Sequence, residues 1–212
     1  MEKKDIGIIG FGGQAREATE YLSEKNIKPA FFAIGKEYIQ DGIERKIDIL
    51  DPSEYQRLTP VIAAIGAPEI RRKLVGEWKG EDFSTIISEQ AYVGESVEIG
   101  KGSIVAPRVV LTANVTVGEH SIINVGSTIS HDCKLGNFTT VSPGAHIAGN
   151  VELGDGVFIG IGAVVSNGVR IAEGVVVGAG AVVLKDIEEK NATVVGVPAK
   201  VIRINEGWLS EV

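Results

Sequence analysis

From Val93 to Glu188 the chain repeats every six residues without a slip. The first position of each hexad reads Val93, Ile99, Val105, Leu111, Val117, Ile123, Ile129, Leu135, Val141, Ile147, Leu153, Ile159, Val165, Ile171, Val177 and Val183, so all 16 are aliphatic. The fifth position, from Val97 through Cys133 to Ile187, is small or β-branched throughout. A six-residue period fits no α-helix. It predicts a parallel β-helix, in which each hexad gives one short strand and one turn and the aliphatic columns form the core. If three hexads close one triangular coil, residues 18 apart stack vertically, and the sequence becomes a map of the surface.

Residues 1–80 have another texture. The runs 5–10, 29–34 and 61–66 read as buried strands, and 14–24 and 68–78 as helices, with Pro68 in a first turn. Strands alternating with helices predict a small parallel α/β (Rossmann-like) domain over 1–80. Residues 81–92 then form a linker and first partial hexad, 93–188 the β-helix, and 189–212 a C-terminal cap and tail.

The net charge of -7 and the lack of a basic run argue against a nucleic-acid surface. The opening apolar run is too short for a signal peptide or a membrane span, so no membrane insertion is expected. The single cysteine, Cys133, falls in the inward column and reads as a packing thiol. One cysteine makes no intrachain disulfide, which fits a reducing, cytoplasmic setting.

Two places carry candidate chemistry. Gly10-Phe11-Gly12-Gly13-Gln14 follows a strand and opens a helix, where backbone N–H groups can meet a phosphate. The full dinucleotide pattern G-x-G-x-x-G is not met, because Ala15 fills its last place. His131 stands at a corner with Asp132 beside it, Ala113 one coil below and Gly149 one coil above. That arrangement suits a general base oriented by a carboxylate, with the Gly149 N–H as an oxyanion donor. His120, predicted to stack under Phe138, and His146 read as structural or surface residues. The three histidines occupy different hexad positions, 11 and 15 apart, so no metal site is expected within one chain.

The solenoid, the Ser130-His131-Asp132 corner, the segment Gly196-Val197-Pro198-Ala199-Lys200 and the glycine-rich α/β start together resemble one known family. It is the bacterial sugar O-acyltransferases of the hexapeptide-repeat type, which include sialic acid O-acetyltransferases and N-acetyltransferases of nucleotide-linked amino sugars. The resemblance implies a left-handed β-helix, against the usual right-handed crossover. It implies a homotrimer with acetyl-CoA between neighbouring solenoids and a nucleotide-linked sugar on the N-terminal domain. By position it makes His131 the base, Asp132 its orienting acid and Gly149 the oxyanion donor. Asn124 matches a polar residue near the acceptor amine. Gly10, Gly12, Gly13, Gln14, Gly66 and Arg71 match the nucleotide-sugar site. Thr140, Gly149, Ile161, Gly178, Ala179, Pro198 and Lys200 match the acetyl-CoA groove.

Two departures stand out. The second strand runs into Ala33-Ile34-Gly35, with no acid before Glu37, where many members carry an acidic pair. Thr140 stands where some members have a second histidine. The implied reaction is acetyl transfer to the amine of a nucleotide-linked amino sugar. O-acetylation of a sialic-acid-like sugar, a non-catalytic nucleotide-sugar-binding scaffold, and a zinc lyase built on the same helix are the alternatives.

Overall fold

The computed structural model describes residues 5–39, 45–80 and 82–211. Residues 1–4 and 40–44 of the expected α/β domain, residue 81 at the head of the expected linker, and residue 212 at the end of the expected tail lie outside the described residues.

Four parallel strands open the chain: β1 (Ile6–Ile9), β2 (Pro29–Ile34), β3 (Lys46–Asp48) and β4 (Val61–Ala63), in the order β3-β2-β1-β4. The helices are α1 (Gly13–Ser23), α2 (Glu54–Leu58) and α3 (Pro68–Glu77). β1 and β4 are buried along their whole length, which explains their unbroken apolar runs. The sequence reading missed β3 and α2. β3 is three residues long, too short for its one apolar residue to show a period, and α2 is five residues whose one signal is the capping box between Ser53 and Gln56.

Each hexad gives a two-residue strand that pairs in parallel with strands 18 residues away, as Thr128 does with Val110 and His146. The strands stack into three sheets, forming a left-handed parallel β-helix with the aliphatic first positions inside. Pairing already begins at Ile86–Ile87, within the expected linker. Ala192–Val195 extends the same sheet beyond the last hexad, and Lys200–Ile204 returns antiparallel along it. The corners are built at the fourth hexad position. All 14 residues there from Gly102 to Gly180 have positive φ, and eight are glycine. Only glycine adopts that conformation freely, with Asn and Asp next, so the corner accounts for eight of the chain's 27 glycines.

The outward sixth position distinguishes the three faces. One carries Glu98, Thr116, Lys134, Glu152 and Arg170, all exposed. A second carries Ile86, Ile104, Ile122 and Thr140, all buried under the α/β domain. Ile6, Ile8, Ala15, Ala18 and Leu22 join the solenoid's aliphatic residues there in one continuous core. The third face, Tyr92, Val110, Thr128, His146, Val164 and Val182, has no Lys, Arg, Asp or Glu, and each of its side chains is exposed or half-buried.

Arg71 holds the two parts together. It is fully buried, against the expectation that it meets the nucleotide sugar. Its Nε donates to the His120 carbonyl at 2.7 Å, and its Nη2 to the Phe138 carbonyl at 2.6 Å and to Thr140 Oγ1 at 3.0 Å. Nη1 donates to the carbonyls of Ile65 and Gly66. Its donors are therefore committed to the protein, and Arg71 is a clamp between domain and solenoid. Burial without a carboxylate partner lowers its pKa to about 9.

His120 sits at the same junction. Its ring stacks on Phe138, with centroids 5.1 Å apart, and meets the edge of Phe83. The tail returns here, with Trp208 packed over Gly156 and Gly174, and the Leu209 carbonyl accepting from Glu69 N at 3.1 Å. Burial, reinforced by Arg71 and Lys101, lowers the His120 pKa to about 4. A histidine lowered below its unfolded pKa of about 6.5 stabilises the fold fully above that pH and loses this contribution as pH falls toward 4. We expect about 2–3 kcal/mol of stability to be lost over that window, and a His120→Phe variant to show a flatter profile, read from denaturant midpoints at each pH.

Candidate active site

His131 lies on the edge that follows the uncharged face, and its side chain is 56% exposed. Its Nδ1 is 2.8 Å from Asp132 Oδ2, while Asp132 Oδ1 accepts from Asn114 Nδ2 at 3.1 Å. These two hydrogen bonds hold the Asp132 pKa below the usual carboxylate value. An ionised carboxylate only accepts, so Nδ1 is the donor in this bond and Nε2 is the ring nitrogen left to act as a base. Asp132 takes the left-handed corner conformation (φ 62°), which turns its carboxylate back toward the preceding residue. The ring rests over Gly149, as the 18-residue map predicts. A Cβ on Gly149 would lie 2.5 Å from His131 Cε1 and 2.6 Å from Nε2. Among the described residues the Gly149 N–H donates to no backbone carbonyl, a property shared with the other third positions of the hexads. We expect Gly149→Ala to push the imidazole aside and lower turnover by up to about 10²-fold with the melting temperature kept. Steady-state rates and a thermal melt check both halves.

The other expected site residues gather elsewhere. Gly13, Gln14, Gly66, Asn124, Thr140, Ile161, Gly178 and Ala179 line one cleft of about 440 Å³ between α1 and the solenoid. Ser142, Gly160 and Phe158 also line it and were missed. Ser142 and Gly160 were within reach, since they fall between Asn124 and Gly178 in one 18-residue column. Asn124 is buried, with its Nδ2 bound to the Val141 carbonyl at 3.1 Å. Thr140 Oγ1 donates to the Gly66 carbonyl at 2.8 Å and pins the domain to the cleft floor. Pro198 and Lys200 are exposed beyond the same edge, where Ala199 N donates to the Val182 carbonyl at 2.8 Å.

Gly10 and Gly12 line a different cleft of about 670 Å³, across the C-terminal ends of β1, β2 and β3 and against α3. Gly10 has φ +106°, a conformation that favours glycine. Lys36, Glu37, Lys46 and Lys73 line this cleft too, and no motif announced them. The Lys46 ammonium lies 3.9 Å over the Phe11 ring. The Gly10–Gly13 turn separates the two clefts.

The His131 edge and the cleft of Asn124 and Ile161 are thus not together in one chain. The cleft's edge, at Val125, Pro143, Ile161 and Ala179, precedes the uncharged face, and the His131 edge follows it. Cys133 is buried and inward, with its Sγ 3.0 Å from the Ala148 carbonyl, and burial raises its pKa. A Cys133→Ala variant is expected to keep wild-type turnover in the same assay, because the thiol has no access to substrate. Among the described residues no three His, Cys, Asp or Glu side chains gather as a metal cluster, and no helix is long and apolar enough to cross a membrane.

Residues 150–185 match the family described as bacterial transferase hexapeptide (six repeats). No curated protein matched the chain. Among solved structures, a histidine-to-asparagine variant of perosamine N-acetyltransferase from Caulobacter crescentus, in complex with CoA and GDP-perosamine, is 32% identical. The match covers 93% of this chain and 96% of that one, with a TM-score of 0.84. The acetyltransferase domain of PglB from Neisseria gonorrhoeae FA1090 is 29% identical over 94% of this chain and 100% of its own, with a TM-score of 0.82. WeeI from Acinetobacter baumannii AYE is 29% identical over 93% and 99%, with a TM-score of 0.80. With a solenoid of hexads, a glycine-turn α/β domain and these relatives matched nearly end to end, the chain belongs to the hexapeptide-repeat family of acetyl-CoA-dependent sugar acetyltransferases.

Proposed function

We propose that the protein moves acetyl from acetyl-CoA to the amine of a nucleotide-linked amino sugar, in a site that two copies of the chain build together. The carrying observation is the His131 edge: an exposed, Asp132-bound ring with Nε2 lying over Gly149. His131 Nε2 takes a proton from the acceptor amine as the nitrogen attacks the thioester carbonyl. Asp132 holds the ring and stabilises the imidazolium. The Gly149 N–H steadies the tetrahedral oxyanion, which collapses to the amide as the coenzyme A thiolate leaves. No acyl-enzyme is needed, and the buried Cys133 is not placed to form one.

The two clefts support a nucleotide-linked acceptor. The larger takes the nucleoside, the Gly10–Gly13 turn and the N-terminus of α1 meet the phosphates, and the sugar reaches the Asn124 cleft. The Caulobacter relative was solved with CoA and GDP-perosamine, a nucleotide-linked amino sugar. The uncharged face supports a homotrimer, since it lies between the edge that holds the base and the edge that borders the cleft. A cyclic trimer packed through it sets His131 of one copy against the cleft of the next. The reading puts the enzyme in the cytoplasm, consistent with its unpaired, buried cysteine.

A free-thiol assay with acetyl-CoA and UDP-, GDP-, dTDP- and CMP-linked sugars, with product mass read out, tests the proposal. One acetyl gained on an amine is the expected result. Acetyl on a hydroxyl contradicts N-transfer, and no coenzyme A release with any sugar contradicts catalysis.

A further inference from the structure

We infer that Glu37 binds the ribose hydroxyls of the nucleotide, so that the site prefers ribonucleoside diphosphates to their 2′-deoxy counterparts. The inference rests on the nucleotide reading of the larger cleft. In parallel β-α-β folds the phosphates sit at the helix after the first strand, and an acid at the end of the second strand accepts from the ribose. Here β1, α1 and β2 supply the first part. Gly12 caps α1 with no side-chain bond, and no acid occupies its first turn to repel a phosphate.

The second part is missing from the strand itself, which runs into Ala33-Ile34-Gly35. The structure supplies it two residues later. After Gly35 the chain makes a single 3-10 turn, Lys36–Tyr38, closed by Tyr38 N donating to the Gly35 carbonyl at 2.9 Å. That turn folds Glu37 back over the strand end. Both of its carboxylate oxygens lie 2.7 Å from the place a Cβ on Gly35 would occupy. The carboxylate therefore stands where the side chain of residue 35 would begin, and it lines the cleft with Gly10 and Gly12. Gly35 has an ordinary φ of -58°, so what it provides here is space for that carboxylate. Lys36, Lys46 and Lys73 line the same cleft and balance the phosphates.

An ionised carboxylate only accepts hydrogen bonds. Ribose offers it two adjacent hydroxyl donors, and 2′-deoxyribose offers one. Losing a hydrogen bond to a charged acceptor corresponds to roughly tenfold to hundredfold in affinity.

The test is calorimetric titration of the full-length protein with GDP and UDP and with 2′-deoxy-GDP and 2′-deoxy-UDP. Wild type should bind the ribo forms at least about tenfold tighter. Glu37→Ala should bring the ratio close to unity. Gly35→Ala, whose new Cβ displaces the carboxylate without removing it, should do the same. Glu37 is exposed, so neither the clamp nor the core depends on it. Equal affinities in wild type, or an undiminished ratio in Glu37→Ala, would overturn the inference and leave the nucleotide cleft standing. If neither GDP nor UDP binds wild type, the nucleotide reading itself fails and the inference falls with it.

Discussion

Replacing His131 with alanine lowers turnover by about 10²–10⁴-fold, the usual contribution of a positioned base, while the protein stays folded and assembled. Folding survives because the side chain is exposed and its one side-chain partner is Asp132. Asp132 keeps its bond from Asn114, so no buried charge is stranded. The loss falls on turnover more than on the Michaelis constants, since the ring meets the acceptor proton as it leaves. Asp132→Asn should be nearly as damaging. A neutral amide can donate to Nδ1, which moves the ring proton to Nε2 and removes the base. Steady-state kinetics with both substrates varied reads these effects, and wild-type turnover by His131→Ala would remove it from the mechanism.

Arg71→Met is the variant with the largest expected effect on stability. It leaves the His120, Phe138 and Ile65 carbonyls without the donor that now satisfies them. Unpaired buried polar groups cost about 1–3 kcal/mol each, partly offset because a charge is no longer buried. A net loss of about 3–5 kcal/mol should appear as a melting temperature lowered by roughly 10 °C at fixed protein concentration. Because Arg71 also fixes the Gly66 carbonyl at the cleft wall, nucleotide-sugar binding should weaken in the protein that remains folded. An unchanged melting temperature would show that the clamp contributes nothing.

Much of this was legible in the residues, and the limits have physical causes. The sixteen aliphatic first positions predicted the coil, and the 18-residue step placed His131 against Gly149 and His120 against Phe138, because a solenoid has the same registry in sequence and in space. The same step applied to the sixth position would have separated the charged, covered and uncharged faces. Arg71 entered the expected nucleotide-sugar site by its match to the family's pattern, and the structure buries it instead. Its true acceptors are backbone carbonyls 49 and 67 residues away, which no local pattern reveals. The place of the Glu37 carboxylate was not legible for a related reason. Its position depends on one 3-10 turn, and the sequence shows only that the strand lacks an acid. The split of the expected site over two edges is invisible to any list of residues, since it requires knowing which corner each hexad turns.

That split is the centre of the account, and mixed assemblies test it most directly. His131→Ala removes the base from one edge, and Ala179→Trp fills the cleft at the other. Each alone should be nearly inactive. Co-assembled in equal amounts, about a quarter of the shared sites receive an intact base from one copy and an intact cleft from its neighbour, because each half is right with a chance of one in two. Activity of about that fraction of wild type, from two inactive parents, is the predicted result. Mixtures no more active than the parents would contradict a site built between copies.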